Sequence, residues 1–64
     1  MKLNNALYIV VSGRFDGHGH GFAVGFNSKK AADYFLTFCL LGFGDLLEWW
    51  QFENRFPDYK NNEP

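Results

Sequence analysis

Two short segments near the start of the chain have the residue pattern of β-strands. Residues 6–12 (ALYIVVS) are rich in β-branched and aromatic residues and are apolar on both faces, so both faces of this strand are expected to be covered. Residues 20–28 (HGFAVGFNS) place large apolar residues at every second position. The glycine-rich residues 15–21 (FDGHGHG) lie between them, and glycines adopt the positive φ angles that a reversing chain needs. The pattern predicts a β-hairpin.

The period changes to that of an α-helix over residues 28–43. Ser28 suits the N-cap, where a hydroxyl accepts a hydrogen bond from the first helical turn. Gly42 suits the left-handed position that ends a helix, with Phe43 folding back after it. Apolar residues recur at helical spacing, which predicts one buried side that includes the cysteine. These residues are Ala31, Ala32, Phe35, Leu36, Phe38 and Cys39.

Residues 45–56 (DLLEWWQFENRF) fit either a helix or a strand. In a helix, Asp45 would be the N-cap and Glu48 would complete a pair that resembles a capping box, with Pro57 ending the helix. A helix places Glu53 among the apolar residues of its buried side. A strand places Glu53 on the polar face but puts other residues on the wrong face. We favour the helix because it leaves fewer misfits. The strand stays open because a third strand would support the hairpin.

These elements predict an α+β fold, in which a small antiparallel hairpin or sheet is packed by one or two helices. The order is ββαα, or ββαβ if residues 45–56 form a strand. Sixty-four residues make a single domain, and residues 57–64 are predicted to be a frayed polar tail. A domain of this size buries only about 60% of the surface of its unfolded chain. Eight Phe, three Tyr and two Trp are too many for so small a core, so some rings are expected at a partner or dimer interface.

The single cysteine and the short apolar runs predict the compartment. Cys39 has no partner for an internal disulfide, which favours a reducing environment. The apolar run over residues 6–11 is too short for a signal peptide. Residues 34–43 are also far shorter than the ~20 residues of a membrane-spanning helix. We therefore expect a soluble, cytoplasmic protein without a membrane partner.

The hairpin loop contains the clearest candidate for a metal site, but the signal for such a site is weak. His18 and His20, with Asp16, are residue types that bind zinc, but structural zinc sites use four protein ligands and catalytic sites usually three. A solvated hairpin tip explains the same residues, and no cofactor is predicted. A metal-binding protein that uses His18 and His20 remains the second alternative for the function.

Catalysis and direct nucleic-acid binding are both disfavoured. The sequence contains no nucleophile, base and orienting group at a spacing that brings them together, so no enzyme activity is predicted. The net charge is −1, divided into +3 over residues 1–32 and −4 over residues 33–64. Acids surround the two tryptophans, and they would repel phosphates from the rings that could stack on bases.

The acidic, aromatic second half instead predicts a surface for a protein partner. Aromatic rings dominate interface hot spots, and surrounding carboxylates steer the approach of a basic partner. Basic surfaces are typical of nucleic-acid-binding proteins, where carboxylates can occupy the places of phosphates. The predicted partner-binding residues are Asp45, Glu48, Trp49, Trp50, Phe52, Glu53, Phe56 and Asp58.

A very small α+β domain with no catalytic motif, many aromatic residues and an acidic half resembles the inhibitors that phages and other mobile elements encode, anti-CRISPR proteins among them. The resemblance implies an inhibitor in the host cytoplasm that blocks nucleic-acid binding by a nuclease or guide-RNA complex. It transfers no functional residue to this chain. The alternative is a structural or homo-oligomeric subunit, and both a monomer and a homodimer fit the sequence.

Overall fold

The computed structural model describes residues 6–59, which form a three-stranded sheet and two helical regions. The strand order is β2-β1-β3, and both pairings are antiparallel. The α+β class is confirmed. In chain order the elements are β1 (Tyr8–Ser12), β2 (Ala23–Phe26), α1 (Lys29–Tyr34), a π-helical segment (Phe35–Cys39), β3 (Gly44–Glu48) and α2 (Trp49–Arg55).

Helical elements cover both faces of the sheet, as the two apolar faces of the first strand predict. Alternate residues of a strand point to opposite faces. Ile9 and Val11 lie on one face, in a cluster completed by Phe52 of α2. Val10 lies on the other face, toward α1 and the π segment, where the Phe35 ring packs 5.4 Å from the ring of Phe26. The central strand β1 is therefore buried on both sides, and Ile9 and Val10 have no exposed surface.

Phe52 is the centre of an aromatic core on the α2 side of the sheet. It is 1% exposed, and four other rings surround it at centroid distances of 5.3–5.9 Å. The prediction of a frayed tail over residues 57–64 is wrong at Tyr59, because this ring packs edge-on against Phe52. Residues 60–64 lie outside the described part of the chain. The surrounding rings are Phe15, Trp49, Phe56 and Tyr59.

Residues 45–56 are a strand followed by a helix, so each of the two sequence interpretations is correct for one part. Asp45 lies within β3, opposite Val11, and is not a helix cap. Glu48 is the N-cap of α2, and its backbone N–H donates to Gln51 Oε1 at 2.9 Å in a capping box. Pairing with β1 buries residues of β3 that a continuous helix would leave without partners. The change from strand to helix at Glu48 lets the residues before it pair with β1 and the residues after it pack in the aromatic core.

The predicted helix over residues 28–43 begins as expected. Ser28 is the N-cap, and its hydroxyl accepts a hydrogen bond from the Ala31 N–H at 3.4 Å. Ala32 is completely buried, but Ala31 is exposed, so the predicted buried side is narrower than the sequence pattern suggests.

The second half of this helix is a π-helix, which the sequence pattern does not predict. The Leu40 N–H donates to the Phe35 carbonyl at 3.1 Å, five residues back. The extra residue in the turn rotates the side chains that follow it relative to an α-helix. The predicted burial of Phe38 and Cys39 is wrong for this reason: Phe38 is 64% exposed, and Cys39 is also exposed.

Two successive residues with positive φ end the helix. Gly42 has a φ of 84°, and its N–H donates to the Leu36 carbonyl at 2.9 Å, which agrees with its predicted role as a left-handed terminator. Leu41 has a φ of 54°, an uncommon conformation for a residue with a branched side chain. Phe43 does not fold back onto the helix as predicted and is 78% exposed. The chain therefore leaves the helix with two large apolar residues in solvent.

Candidate partner-binding surfaces

The predicted partner-binding rings differ greatly in their access to solvent. Phe52 lies in the core, so the prediction that it is a surface anchor is wrong. Trp49 and Phe56 are half-buried, because each uses part of its ring to contact Phe52. Trp50, on the outer side of α2, is 57% exposed. Helical geometry divides these rings between core and surface, a division that composition alone does not reveal.

All four predicted carboxylates are exposed. Asp45 forms an ion pair that links β3 to α2, in which its Oδ2 lies 3.1 Å from Arg55 Nη1. Within residues 6–59, Glu48, Glu53 and Asp58 make no ion pair. These three charges, with Trp49, Trp50 and Phe56, are called the acidic–aromatic surface below.

A pocket of about 200 Å³ opens between α2 and the turn that follows it. Its walls are largely aromatic, and Glu53 is its one charged lining residue. Aromatic faces attract cations as well as apolar groups, and a nearby carboxylate strengthens the preference for a cation. The lining residues are Trp49, Phe52, Glu53, Phe56, Pro57 and Tyr59.

The carboxylate of Asp16 organises the hairpin loop. It accepts hydrogen bonds from the backbone N–H of His18 at 2.7 Å and of His20 at 3.3 Å. Its second oxygen lies 2.5 Å from Nδ1 of His20. The His18 amide is the main cause that lowers the pKa of Asp16 to about 2, and the His20 side chain lowers it further. The loop is thus held by one ionised carboxylate.

The structure does not bring His18 and His20, the histidines of the alternative metal-binding interpretation, together with further donors. Across residues 6–59, no group of three or more His, Cys, Asp and Glu side chains is placed to share an ion. Nδ1 of His20 already faces Asp16. His18 lines a shallow pocket of about 180 Å³ with Arg55 and Asp58, on the side of the aromatic core next to the loop.

The lowered pKa of Asp16 predicts an acid-dependent loss of stability. A carboxyl group whose pKa is lower in the folded than in the unfolded chain stabilises the fold while it is ionised. For Asp16 this contribution is complete at pH values above the ordinary pKa of 3.8, and it is lost as the pH falls to about 2. We expect the urea midpoint of the wild type to fall more steeply than that of D16N over this range. In H20A, an NMR titration should still find a lowered Asp16 pKa, because the His18 amide is the larger cause. An ordinary Asp16 pKa in the wild type would contradict the loop geometry.

A second apolar surface lies at the end of α1, on the π segment and on the turn after it, and it includes Phe38, which the sequence predicts to be buried. Tyr34 and Phe38 are each 64% exposed, and their rings pack together at 4.7 Å. Leu41 is 75% exposed and Phe43 is 78% exposed. These four residues are called the aromatic ridge below. The sequence does contain a signal for this exposed surface, because the run FLTFCLLGF (residues 35–43) has more apolar residues than one side of a helix can bury.

Comparison with known proteins gives no further assignment. No family model matches the chain, and neither a curated protein nor a solved structure is found to be similar to it. Among the helices of residues 6–59, none has the length and apolar character needed to cross a membrane. The two surfaces are therefore the basis for any inference about function.

Proposed function

We propose that this chain is a non-enzymatic protein-binding module that docks its acidic–aromatic surface on the basic, nucleic-acid-binding surface of another protein. The observation that carries the proposal is the aromatic-walled pocket of about 200 Å³ whose one charged lining residue is Glu53. A pocket of this chemistry suits a lysine or arginine side chain, because the rings contact its apolar stem and attract its charge.

The unpaired carboxylates explain the preference for a basic partner. Arg55 neutralises Asp45, whereas Glu48, Glu53 and Asp58 are exposed and make no ion pair within the described residues. Such charges raise the rate of encounter with a positive surface. Trp50 then supplies an exposed ring that loses water on contact, and tryptophan is prominent among interface hot spots.

The expected biological effect is inhibition by competition. A partner that binds nucleic acid presents lysine and arginine side chains to phosphates. Carboxylates that engage those side chains exclude the phosphates, so the bound partner loses access to its nucleic acid. An anti-CRISPR-like inhibitor in the host cytoplasm is the specific form of this proposal.

Binding to a short arginine-rich peptide tests the proposed chemistry. We expect E53Q to weaken binding by about tenfold and to reduce its salt dependence, because the variant removes the carboxylate from the pocket and keeps the side-chain size. D33N is the matched control, because it removes one exposed charge from α1, away from the pocket. Fluorescence anisotropy of a labelled peptide measures both affinities at low and high salt.

Two results would contradict the proposal. One is equal peptide affinity for E53Q and D33N, which would mean that only net charge matters. The other is a failure of the wild-type chain to displace single-stranded DNA that is already bound to the same peptide. Glu48 is left unchanged in these variants because it is the N-cap of α2.

A further inference from the structure

Nothing within residues 6–59 explains the exposure of the aromatic ridge. Its four side chains, Tyr34, Phe38, Leu41 and Phe43, are 64–78% exposed. Two backbone features maintain this exposure. The π turn that starts at Phe35 moves Phe38 away from the sheet.

The conformation of Leu41 is the second of these features. A φ of 54° is sterically strained for a leucine, and glycine adopts it without this strain. The Leu41 side chain is 75% exposed, so burial within the chain does not offset the strain. Strained residues that persist without a structural benefit are typical of functional sites.

The area of the ridge matches the requirement for self-association. Large side chains have an accessible area of about 200 Å², so exposed fractions of 64–78% leave about 550 Å² of ridge on each copy. Two ridges packed together would bury at most about 1,100 Å², before any contribution from the rim, and a specific interface needs about 1,000 Å². Such a patch also lies near the upper limit for a monomeric protein.

The charges beside the ridge favour a second copy over a strongly charged partner. Lys29, Lys30 and Asp33 are the exposed charged residues of α1. Two positive charges and one negative charge leave a net charge of +1 on this helix, so two copies repel each other only weakly there. The acidic–aromatic surface lacks this balance and would repel its own copy. Two lysines also give a weak attraction for nucleic acid, and Leu41 offers no ring for stacking.

We infer that the chain forms a homodimer in which the aromatic ridges of two copies pack against each other. The inference goes beyond the proposed function, because it requires no other protein and uses a different surface. The dimer carries two acidic–aromatic surfaces, so a partner with two basic sites within reach binds it with higher avidity than a monomer.

Sedimentation equilibrium of the full chain, with a reducing agent to keep Cys39 free, tests the dimer. Between about 10 µM and 1 mM, we expect the wild-type mass to rise from 7.4 kDa toward twice that value. L41G and F38S should each raise the dimer dissociation constant at least about tenfold. L41G is the more informative variant, because glycine suits the backbone at this position and a loss of fold cannot explain the loss of the dimer.

L7S is the matched control, because Leu7 is 61% exposed but immediately precedes β1, at the other end of the sheet from the turn at Phe43. It should dimerise as the wild type does. A wild-type chain that stays monomeric at the highest concentration overturns the inference, as does equal dimerisation of L41G, F38S and L7S. A parallel titration with oligothymidine tests whether the ridge binds nucleic acid instead. If the wild type stays monomeric but binds oligothymidine, and F38S abolishes that binding, the ridge is a nucleic-acid surface and the dimer inference is wrong.

Discussion

Replacing Phe52 by alanine is expected to remove nearly all of the net stability of the fold at room temperature. Phe52 is 1% exposed and lies between β1, β3 and the four rings that surround it. Truncation of a buried phenylalanine to alanine typically costs 3–5 kcal/mol, which includes the cavity that remains. A single core in a chain of this size rarely supplies more than about 3–5 kcal/mol of net stability. The two quantities are of equal size, so the net unfolding free energy should fall to about zero, with about half of the molecules folded in the absence of urea.

Trp50→Ala is the control for this prediction, because it removes a larger ring from the same helix. Trp50 is 57% exposed, and substitutions at such positions usually change stability by less than about 1 kcal/mol. Urea unfolding followed by far-UV circular dichroism should give a clear transition for W50A and little or no folded baseline for F52A. Similar midpoints for the two variants would mean that the aromatic cluster is not the main source of stability.

Local signals in the sequence were sufficient for the hairpin and for the start of α1. A run of β-branched and aromatic residues identified β1, alternation identified β2, and the hydroxyl of Ser28 identified the first helical turn. Each signal acts over a few residues and depends on no distant contact. The same reasoning identified the two apolar faces of β1 and therefore the layers on both sides of the sheet.

Distant contacts decided the elements that were not predicted. The segment 45–56 changes from strand to helix at Glu48 because its first half pairs with β1, nearly 40 residues earlier in the chain. The capping residue is one that the sequence interpretation placed inside a helix. The π turn at Phe35 likewise changes which residues share a helix face, and no periodicity in the sequence marks it.

The candidate sites were predicted only in part, for the same reason. The acidic residues around α2 were correctly expected on the surface, because charged residues are rarely buried without partners. The choice of rings was less successful, because Phe52 and Trp50 are only two residues apart in sequence but one is buried and the other exposed. The aromatic ridge was missed because the sequence pattern assigned Phe38 to the core.

Replacing Gly21 by alanine should have the second largest effect on stability. Gly21 has a φ of 71°, which an alanine adopts only with strain. A Cβ at this position would overlap Ser12 Oγ and would lie 2.5 Å from the Phe15 backbone nitrogen, closer than real contacts allow. Ser12 accepts a hydrogen bond from the Phe22 N–H at 3.0 Å, so the clash also disturbs the closure of the hairpin.

The position of Phe15 determines how large this effect becomes. Its ring lies 4.9 Å from the ring of Phe56 and 5.9 Å from that of Phe52, so a shift of its backbone moves a ring of the aromatic core. We expect G21A to lose about 2–4 kcal/mol of unfolding free energy, from both strain and the displaced core. G19A separates the two causes, because Gly19 has a φ of 113° but no atom within 4 Å of an added Cβ. Urea midpoints should place G19A well above G21A, and equal midpoints would mean that backbone strain alone limits the loop.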